Sequence, residues 1–325
     1  MKPSSFCLTI TPPSSLHHSV LPSCDISTKP PRSPESSVNH STALCCFSSP
    51  SACTRTLTPH ILLLGGHGKV AQLLTPMLLQ RSWTVTSLIR NPEQSDAILN
   101  LGKSKPGELN VLVRSLEEVK SDEDAKSVLE EVKPDWVIWS AGAGGKGGAS
   151  RTFAIDCDAA RHFISSSLSI PSIKKFMMIS YLGSRRNKPS WWSDAEWSAS
   201  QQTNQGGLKN YFEAKVDADE YLAAMAHKRE QSGDKTFQAI CLRPGGLTDE
   251  PAGKVQLGKT VGGGKVSRAS VAEVAAALTE RDDTRGWYDL LDGDEDVATA
   301  VERVAEERVD CIEGEDLDAI YNRAT

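Results

Sequence analysis

Tyr211 and Lys215 form a pair whose residue types and spacing indicate acid–base chemistry. Residues four apart lie on one face of a helix, so the two side chains are expected to be neighbours. A lysine ammonium a few ångströms from a phenol stabilises the phenolate and lowers the tyrosine pKa from about 10 towards the working range. Such a tyrosine acts as a general acid towards a carbonyl or as a general base towards an alcohol. The same spacing is also common in solvated surface pairs, so the position of the pair in the fold has to decide between the two interpretations.

A glycine turn at residues 65–68 indicates a phosphate-binding site. It follows a short apolar strand, residues 61–64, and precedes a stretch with apolar residues at helical spacing. Glycines allow a tight turn and let backbone N–H groups approach a pyrophosphate, to which the helix N-terminus adds a partial positive charge. The order of strand, turn and helix favours a dinucleotide site over a glycine turn without a ligand. The predicted contact residues are Gly65, Gly66, His67, Gly68, Lys69 and Val70.

Arg90 follows the second predicted strand, residues 84–89, and bears on the choice of dinucleotide. An acidic residue at this place binds the ribose 2′-hydroxyl of NAD, whereas an arginine suits the 2′-phosphate of NADP. Arg90 therefore favours NADP as the cofactor, with NAD as the alternative, and Lys69 adds a second positive charge. The other interpretation is that both are ordinary solvated cations.

Small residues follow the fourth predicted strand, residues 135–139. Ser140, Ala141 and Gly142 come at the carboxyl end of that strand. Ligands bind at the carboxyl ends of the strands in open parallel sheets, and small side chains there let the cofactor riboses lie against the backbone. We therefore expect these three residues to complete the cofactor site. The alternative is a flexible loop without a ligand.

Short apolar runs alternate with amphipathic stretches from residue 61 onwards. Such alternation implies right-handed crossovers between strands of a parallel sheet. The predicted fold class is α/β, a doubly wound parallel sheet of the Rossmann type, in one domain over residues 61–325. Tyr211 and Lys215 then lie on a long helix between the fifth and sixth strands. The further predicted strands are 109–113, 173–179, 236–242 and 287–291, and the main predicted helices are 121–132, 149–169, 208–230 and 270–279.

Five segments together resemble the atypical short-chain dehydrogenases/reductases, in particular the NAD(P)-binding, NmrA-like group seen in fungi. The resemblance covers about residues 60–325. It implies a Rossmann fold in which Tyr211 is the acid/base and Lys215 both tunes it and holds the nicotinamide ribose. The segments are Gly-Gly-His-Gly-Lys-Val-Ala (65–71), Leu-Ile-Arg-Asn-Pro (88–92), Ser-Tyr-Leu-Gly-Ser-Arg-Arg (180–186), Tyr-Phe-Glu-Ala-Lys (211–215) and Leu-Arg-Pro-Gly-Gly (242–246).

The resemblance implies further site residues. In that superfamily a serine or threonine just beyond the fifth strand donates a hydrogen bond to the substrate oxygen. Ser180 matches this position best, and Ser184 is a second candidate. Arg243, Pro244 and Gly245 resemble the R-P-G turn that closes over the nicotinamide. For Arg243, a structural ion pair is the alternative.

A long insert separates Ser180 from Tyr211. The 30 residues between them exceed the dozen or so of simple members of the superfamily. One interpretation is a substrate lid that recognises an anionic or flat molecule. The other is a loop that its tryptophans anchor to the sheet. The residues in question are Arg185, Arg186, Trp191, Trp192 and Trp197.

Composition limits the partners and the compartment. The net charge of −6 gives no basic footprint for nucleic acid, and no apolar run reaches the length of a membrane span. Residues 1–60 are half Ser, Thr or Pro, and we expect a disordered extension or a wrongly chosen start codon, with a mitochondrial transit peptide as the alternative. Five of the eight cysteines lie there, and the scattered remainder indicates a reducing compartment. The expected location is the cytoplasm, or the mitochondrion if the extension is a transit peptide.

The sequence therefore predicts an NADP(H)-dependent oxidoreductase that moves hydride to or from a carbonyl or alcohol carbon. Its expected partner is a small-molecule substrate, with neither nucleic acid nor membrane involved. Two alternatives stay open. The first is a non-catalytic, redox-sensing regulator of the NmrA-like kind, many of which lack the tyrosine–lysine pair. The second is an NAD(P)-dependent epimerase.

Overall fold

Eight strands form one sheet in the part of the chain that this computed structural model describes, residues 58–144 and 147–324. Its order is β3-β2-β1-β4-β5-β6-β10-β8, parallel throughout except for β8, which runs antiparallel to β10. Two short strands, β7 and β9, pair in parallel beside it. The bounds are β1 (His60–Leu64), β2 (Thr84–Ile89), β3 (Leu109–Val113), β4 (Trp136–Trp139), β5 (Lys175–Ile179), β6 (Gln238–Pro244), β7 (Gly246–Thr248), β8 (Val255–Gly258), β9 (Lys265–Ser267) and β10 (Gly286–Asp292).

Helices cover both faces of this sheet. None of those in the described ranges is long and apolar enough to cross a membrane. The helices are α1 (Lys69–Gln80), α2 (Ser95–Leu99), α3 (Asp122–Val132), α4 (Gly148–Thr152), α5 (Ala160–Ser169), α6 (Asp194–Gln205), α7 (Lys209–Gln231), α8 (Arg268–Glu280), α9 (Val297–Glu306) and α10 (Leu317–Tyr321), with a π-helical stretch (Phe153–Ala159) and 3-10 turns (Pro92–Gln94, Asn100–Gly102, Leu116–Glu118, Asn322–Ala324).

The apolar runs of the central strands reflect burial on both faces. Along β1, Ile61 and Leu63 pack into the core beneath α1, α8 and α9, whereas Leu62 and Leu64 pack into the core beneath α3, α5 and α7. A strand with a helical layer on each side has no polar face, so it reads as a continuous hydrophobic run. The predicted doubly wound α/β fold is confirmed.

The strand order reverses between β1 and β4, because β2 and β3 lie on one side of β1 and the later strands on the other. This is the topological switch point at which open α/β sheets bind ligands. Several elements were not predicted, namely the pair β7 and β9, helix α6, and the π-helical interruption of the predicted helix 149–169. The expected extension, residues 1–60, lies outside the described residues except for its last three positions.

Candidate functional site

Two glycines of the turn between β1 and α1 have no room for a Cβ atom. Gly65 has φ +81°, and a Cβ there would lie 2.6 Å from the Cα of Ala141. A Cβ on Gly66 would lie 1.7 Å from Ser87 Oγ. Gly68 is the N-cap of α1 and supplies no side-chain cap, so the first N–H groups of that helix are left for another acceptor. The absence of Cβ atoms lets the turn pack closely on its neighbours, and the free backbone donors suit a phosphate group.

A cavity of about 480 Å³ opens against this turn, and we call it the turn cavity. It runs across the carboxyl ends of β1, β2, β3 and β4, which is where the sequence places the cofactor. Gly66 does not line the turn cavity, and Val70 lines the second cavity, which is described below. The predicted cofactor residues that line the turn cavity are Gly65, His67, Gly68, Lys69, Arg90, Ser140, Ala141 and Gly142.

Three arginines line the end of the turn cavity that lies beyond β2 and β3, namely Arg90, Arg114 and Arg151. Arg90 Nη1 lies 3.4 Å from Oε1 of Glu117, which also accepts a 2.9 Å hydrogen bond from Arg151. These contacts, that of Arg151 above all, lower the pKa of the Glu117 carboxyl. Arg114 lines the same end, and sequence reasoning missed it. The signal was present, because Arg114 follows β3 just as Arg90 follows β2.

A second cavity, of about 620 Å³, contains the predicted acid–base residues, and we call it the central cavity. It shares Ser140, Ala141 and Gly142 with the turn cavity. Its other lining residues include Val70, Asp156, Ser180, Tyr211, Lys215 and Arg268. The structure thus brings the glycine turn, the small residues after β4 and the tyrosine–lysine pair around one space.

Lys215 is buried and points at the end of β5, where Nζ donates to the carbonyl of Ile179 over 3.0 Å. The ring of Tyr211 packs on that of Tyr181, with centroids 5.0 Å apart. Burial raises the pKa of Tyr211, and the nearby carboxylates of Asp156 and Asp219 add to this. The prediction that Lys215 lowers the tyrosine pKa is therefore wrong, because removal from water and negative neighbours dominate.

Ser180 and Ser184 both contact a carboxylate that the sequence analysis did not single out. Ser180 Oγ lies 2.5 Å and Ser184 Oγ 2.6 Å from Oδ2 of Asp219, which is fully buried. Ser180 lines the central cavity, whereas Ser184 is fully buried and is absent from the lining. Ser180 is therefore the serine that can meet a ligand. Asp219 is four residues after Lys215 on α7, and that spacing was the available signal.

Asp156 is a second buried carboxylate, in the π-helical stretch that interrupts the helix after β4. Its Oδ2 accepts a 2.9 Å hydrogen bond from the backbone N–H of Ala143. Burial raises its pKa, and the positive charge of Lys215 opposes that change. Single π-helical turns inside α-helices recur at functional sites. Here the turn brings a carboxylate into the wall of the central cavity.

Arg243, for which the R-P-G resemblance implies a cofactor contact, lines none of the turn, central and outer cavities. Its side chain is fully buried, with Nε 3.2 Å from Oδ1 of Asp289 and its guanidinium over the ring of Trp287. The structure supports the alternative interpretation, a structural ion pair. Pro244 and Gly245 instead line a third cavity of about 560 Å³, the outer cavity, which shares Ser180 and Tyr211 with the central one.

The long insert is anchored rather than free. Arg185 is fully buried and donates to the carbonyl of Cys311 over 2.6 Å, and Trp192 donates to the carbonyl of Thr260 over 2.9 Å. Arg186 pairs with Glu220 at 2.7 Å. These contacts support the anchored-loop interpretation over a lid. The insert still forms part of the outer cavity, through residues 199, 200, 203 and 204 of α6.

An ion bridge links the glycine turn to the outer cavity. One carboxylate oxygen of Asp249 lies 2.7 Å from Lys69 Nζ, and the other lies 2.7 Å from Arg268 Nη1. Arg268 lines both the central and the outer cavity. Sequence reasoning missed both Asp249 and Arg268, since neither belongs to a local motif.

A phosphate cradle at the switch point of a parallel sheet, beside a tyrosine–lysine pair, defines an NAD(P)-binding protein of the oxidoreductase and epimerase type. The chain belongs to the NAD(P)H-binding family, whose model matches residues 65–282.

Two relatives and one solved structure show how similar this chain is to known proteins. A UPF0659 protein of Schizosaccharomyces pombe is 31% identical over 74% of this chain and 92% of its own length. The uncharacterized sugar epimerase YhfK of Bacillus subtilis is 30% identical over 75% of this chain and 99% of its own. A solved structure from Bacillus halodurans, provisionally assigned as an NAD-dependent epimerase/dehydratase, is 26% identical, with a TM-score of 0.58 over 75% of this chain and 99% of that one.

Proposed function

We propose that the protein is an NADP(H)-dependent oxidoreductase that moves hydride between the cofactor and a carbonyl or alcohol carbon of a small molecule. The observation that carries this proposal is the shared wall of the turn and central cavities. A dinucleotide lying along the glycine turn would bring its reactive half to Ser140–Gly142, beside Tyr211 and Lys215. A protein that only sensed the cofactor would have no use for an acid–base pair at that place.

The residues of the turn cavity fit a phosphorylated dinucleotide. Gly65 and Gly66 let the turn pack without a Cβ against Ala141 and Ser87, the start of α1 has no side-chain cap, and Lys69 lines the cavity. Arg90 and Arg114 supply guanidinium groups at the opposite end, which favours a 2′-phosphate and thus NADP over NAD. When bound, the nicotinamide supplies or accepts the hydride.

The chain's own residues then handle the proton. Burial raises the pKa of Tyr211, so its hydroxyl is protonated and has a proton to give to a carbonyl oxygen, although it is a weaker acid than a tyrosine whose pKa lies near the working pH. Lys215 uses one N–H on the carbonyl of Ile179, which fixes its direction and leaves two donors for the ribose hydroxyls. Ser180 reaches the same cavity and orients the oxygen-bearing group.

Epimerisation is a second candidate, and the Bacillus subtilis relative favours it, because that protein is named a sugar epimerase. The same acid–base tyrosine would serve, with hydride taken from a carbinol carbon and returned to its other face. The outer cavity offers the hydroxyl side chains of Ser200 and Thr203 to such a substrate. An NmrA-like regulator remains the third possibility, and Tyr211 and Lys215 count against it.

One experiment separates the three. NADPH oxidation is measured with a panel of aldehydes and ketones, using the unmutated protein, Tyr211→Phe and Tyr221→Phe. Tyr221 is on the same helix, but its ring lies under Arg161, 4.4 Å from the guanidinium carbon. We expect Tyr211→Phe to lose at least about a hundredfold in turnover, as for other general acids, with the Kd for NADPH nearly unchanged. Tyr221→Phe should retain turnover.

The other outcomes have distinct signatures. Tight NADPH binding with no turnover of any panel member would support the regulator. Interconversion of stereoisomeric sugars without net oxidation of the cofactor would support the epimerase. A protein that binds neither NADPH nor NADH would contradict all three proposed functions.

A further inference from the structure

Asp219 shares a helix face with the acid–base pair. It is four residues after Lys215 and eight after Tyr211 on α7, so the three side chains form one row. Asp219 is fully buried, and the two serines whose hydroxyls reach its Oδ2 are buried as well. The row therefore runs from Tyr211, which lines the central cavity, to the buried carboxylate of Asp219 behind Ser180.

Both serine hydroxyls lie at hydrogen-bond distance from the same oxygen, Oδ2, as donors. A carboxyl oxygen without a proton can only accept, so when Oδ2 carries none each serine gives its single proton to Asp219. A neutral carboxyl could donate to only one of the two serines. With its proton directed at Asp219, Ser180 has only lone pairs left for the cavity. A hydroxyl bound in this way accepts hydrogen bonds from a ligand but gives none.

We propose that Asp219 is a positioning residue that makes Ser180 a hydrogen-bond acceptor towards the substrate and leaves Tyr211 as the donor to the reacting oxygen. This inference rests on the proposed function for its catalytic meaning. It reverses the role that the family resemblance implies for Ser180, which is donation to the substrate oxygen.

The arrangement distinguishes the two forms of a substrate. A bound alcohol can accept from Tyr211 and donate to Ser180, so that one chain of hydrogen bonds runs from Tyr211 through the substrate and Ser180 to Asp219. A bound carbonyl oxygen can only accept hydrogen bonds. It therefore accepts one from the Tyr211 hydroxyl and forms none with Ser180. In reduction, hydride goes to the carbon and the Tyr211 proton goes to the oxygen, and the tyrosine regains its proton from water. The site should thus bind the alcohol more tightly than the carbonyl.

Neutron diffraction from deuterium-exchanged crystals tests the hydrogen positions without any need for turnover. The expected result is a deuteron on Ser180 Oγ directed at Asp219 Oδ2, a second on Ser184 Oγ directed at the same oxygen, and none on Asp219. A deuteron on the carboxyl of Asp219, or a Ser180 deuteron directed into the central cavity, would overturn the proposal. Neither result bears on whether the protein is an oxidoreductase.

Asp219→Asn tests the functional consequence when its amide nitrogen takes the place of Oδ2, because an N–H then donates to Ser180 and releases the serine proton to the cavity. A neutron structure of the variant identifies which amide atom faces Ser180, and with the amide oxygen there the ratio described next should not change. With cyclohexanol and cyclohexanone as the probe pair, the ratio of the alcohol KM to the ketone KM should rise about tenfold, which corresponds to about 1.4 kcal/mol. A merely structural role would raise both KM values and leave their ratio unchanged, and that result would count against the proposal.

Asp217→Asn is the matched control. It lies two residues earlier on α7 and pairs with Arg161 and Arg323, away from the cavity linings. Its KM ratio should equal that of the unmutated protein. If Asp219→Asn does not fold, or if neither probe is turned over, the neutron result alone decides the proposal. A lack of turnover with the whole carbonyl panel would contradict the proposed function and not the role of Asp219.

Discussion

Lys69 Nζ, at the start of the helix that follows the glycine turn, lies 2.7 Å from a carboxylate oxygen of Asp249, 180 residues further along the chain. Both side chains are more than 60% exposed, and ion pairs of this kind are weak. A cofactor phosphate at the glycine turn would compete with Asp249 for the lysine. The carboxylate is therefore a local competitor of the cofactor.

Replacing that carboxylate should strengthen cofactor binding. We expect Asp249→Asn to lower the Kd for NADPH a few-fold at low ionic strength, with a smaller effect as salt screens the charges. Fluorescence titration of NADPH measures this directly. Asp296→Asn is the control, because that exposed carboxylate pairs with Lys254 at 3.7 Å and lines neither the turn nor the central cavity. A weaker NADPH affinity in Asp249→Asn would show that the bridge instead shapes the cofactor site.

Arg90 and Arg114 should decide between the two dinucleotides. A hydrogen bond to a charged group contributes about 1.5–3 kcal/mol, so Arg90→Glu should weaken NADPH binding by about tenfold or more. Arg114→Gln should act in the same direction to a smaller extent, because glutamine removes a positive charge without adding a negative one. NADH titrated in parallel is the internal control. Equal losses for NADPH and NADH would remove the 2′-phosphate assignment.

The pH dependence of carbonyl reduction should follow the raised pKa of Tyr211. The protonated tyrosine is the active form in this direction, and a raised pKa keeps it protonated to higher pH. We expect kcat/KM to stay level as pH rises to about 10, the ordinary value for tyrosine, and to fall only beyond it. A decline that begins near neutral pH would mean that the bound cofactor and Lys215 lower the pKa after all.

Asp289 should be among the most sensitive carboxylates for stability. It is fully buried, with Nη2 of Arg185 3.5 Å from one oxygen and Nε of Arg243 3.2 Å from the other. Removing one partner from a buried ion cluster costs about 3–5 kcal/mol, because the remaining charges stay buried without compensation. Asp289→Asn should lower the free energy of unfolding in urea by that amount.

A surface aspartate provides the comparison for Asp289. Asp283 pairs with Arg281 at 2.7 Å, and half of its side chain is exposed. Asp283→Asn should therefore change the free energy of unfolding only slightly. Equal effects of the two substitutions would mean that water reaches the Asp289 cluster.

The fold could be predicted because its signals are local. The four apolar residues 61–64, the glycine turn after them and the helical spacing from Val70 stand in one short stretch. Tyr211 and Lys215 are likewise separated by a single helical turn, and the structure places both in the central cavity.

The missed contacts join distant parts of the chain. Ser180 meets Asp219 across 39 residues, and Arg185 meets Asp289 across 104. No spacing rule links such residues until the sheet has brought them together. Arg243 shows the same limit, because its motif suggested a cofactor contact and only the position of Asp289 on β10 shows where its charge is balanced.

The anchoring of Arg185 has a consequence for the order in which the protein is completed during synthesis. The first four strands and the glycine turn are all present in the chain by residue 144, but the cores on the two faces of β1 also need α7, α8 and α9, which come after residue 208. Arg185 needs the carbonyl of Cys311, which emerges from the ribosome 126 residues later than Arg185 itself. Both the cofactor half and the insert beside the outer cavity therefore reach their final form only when the chain is almost finished, and a nascent chain that stops short of residue 311 should have neither.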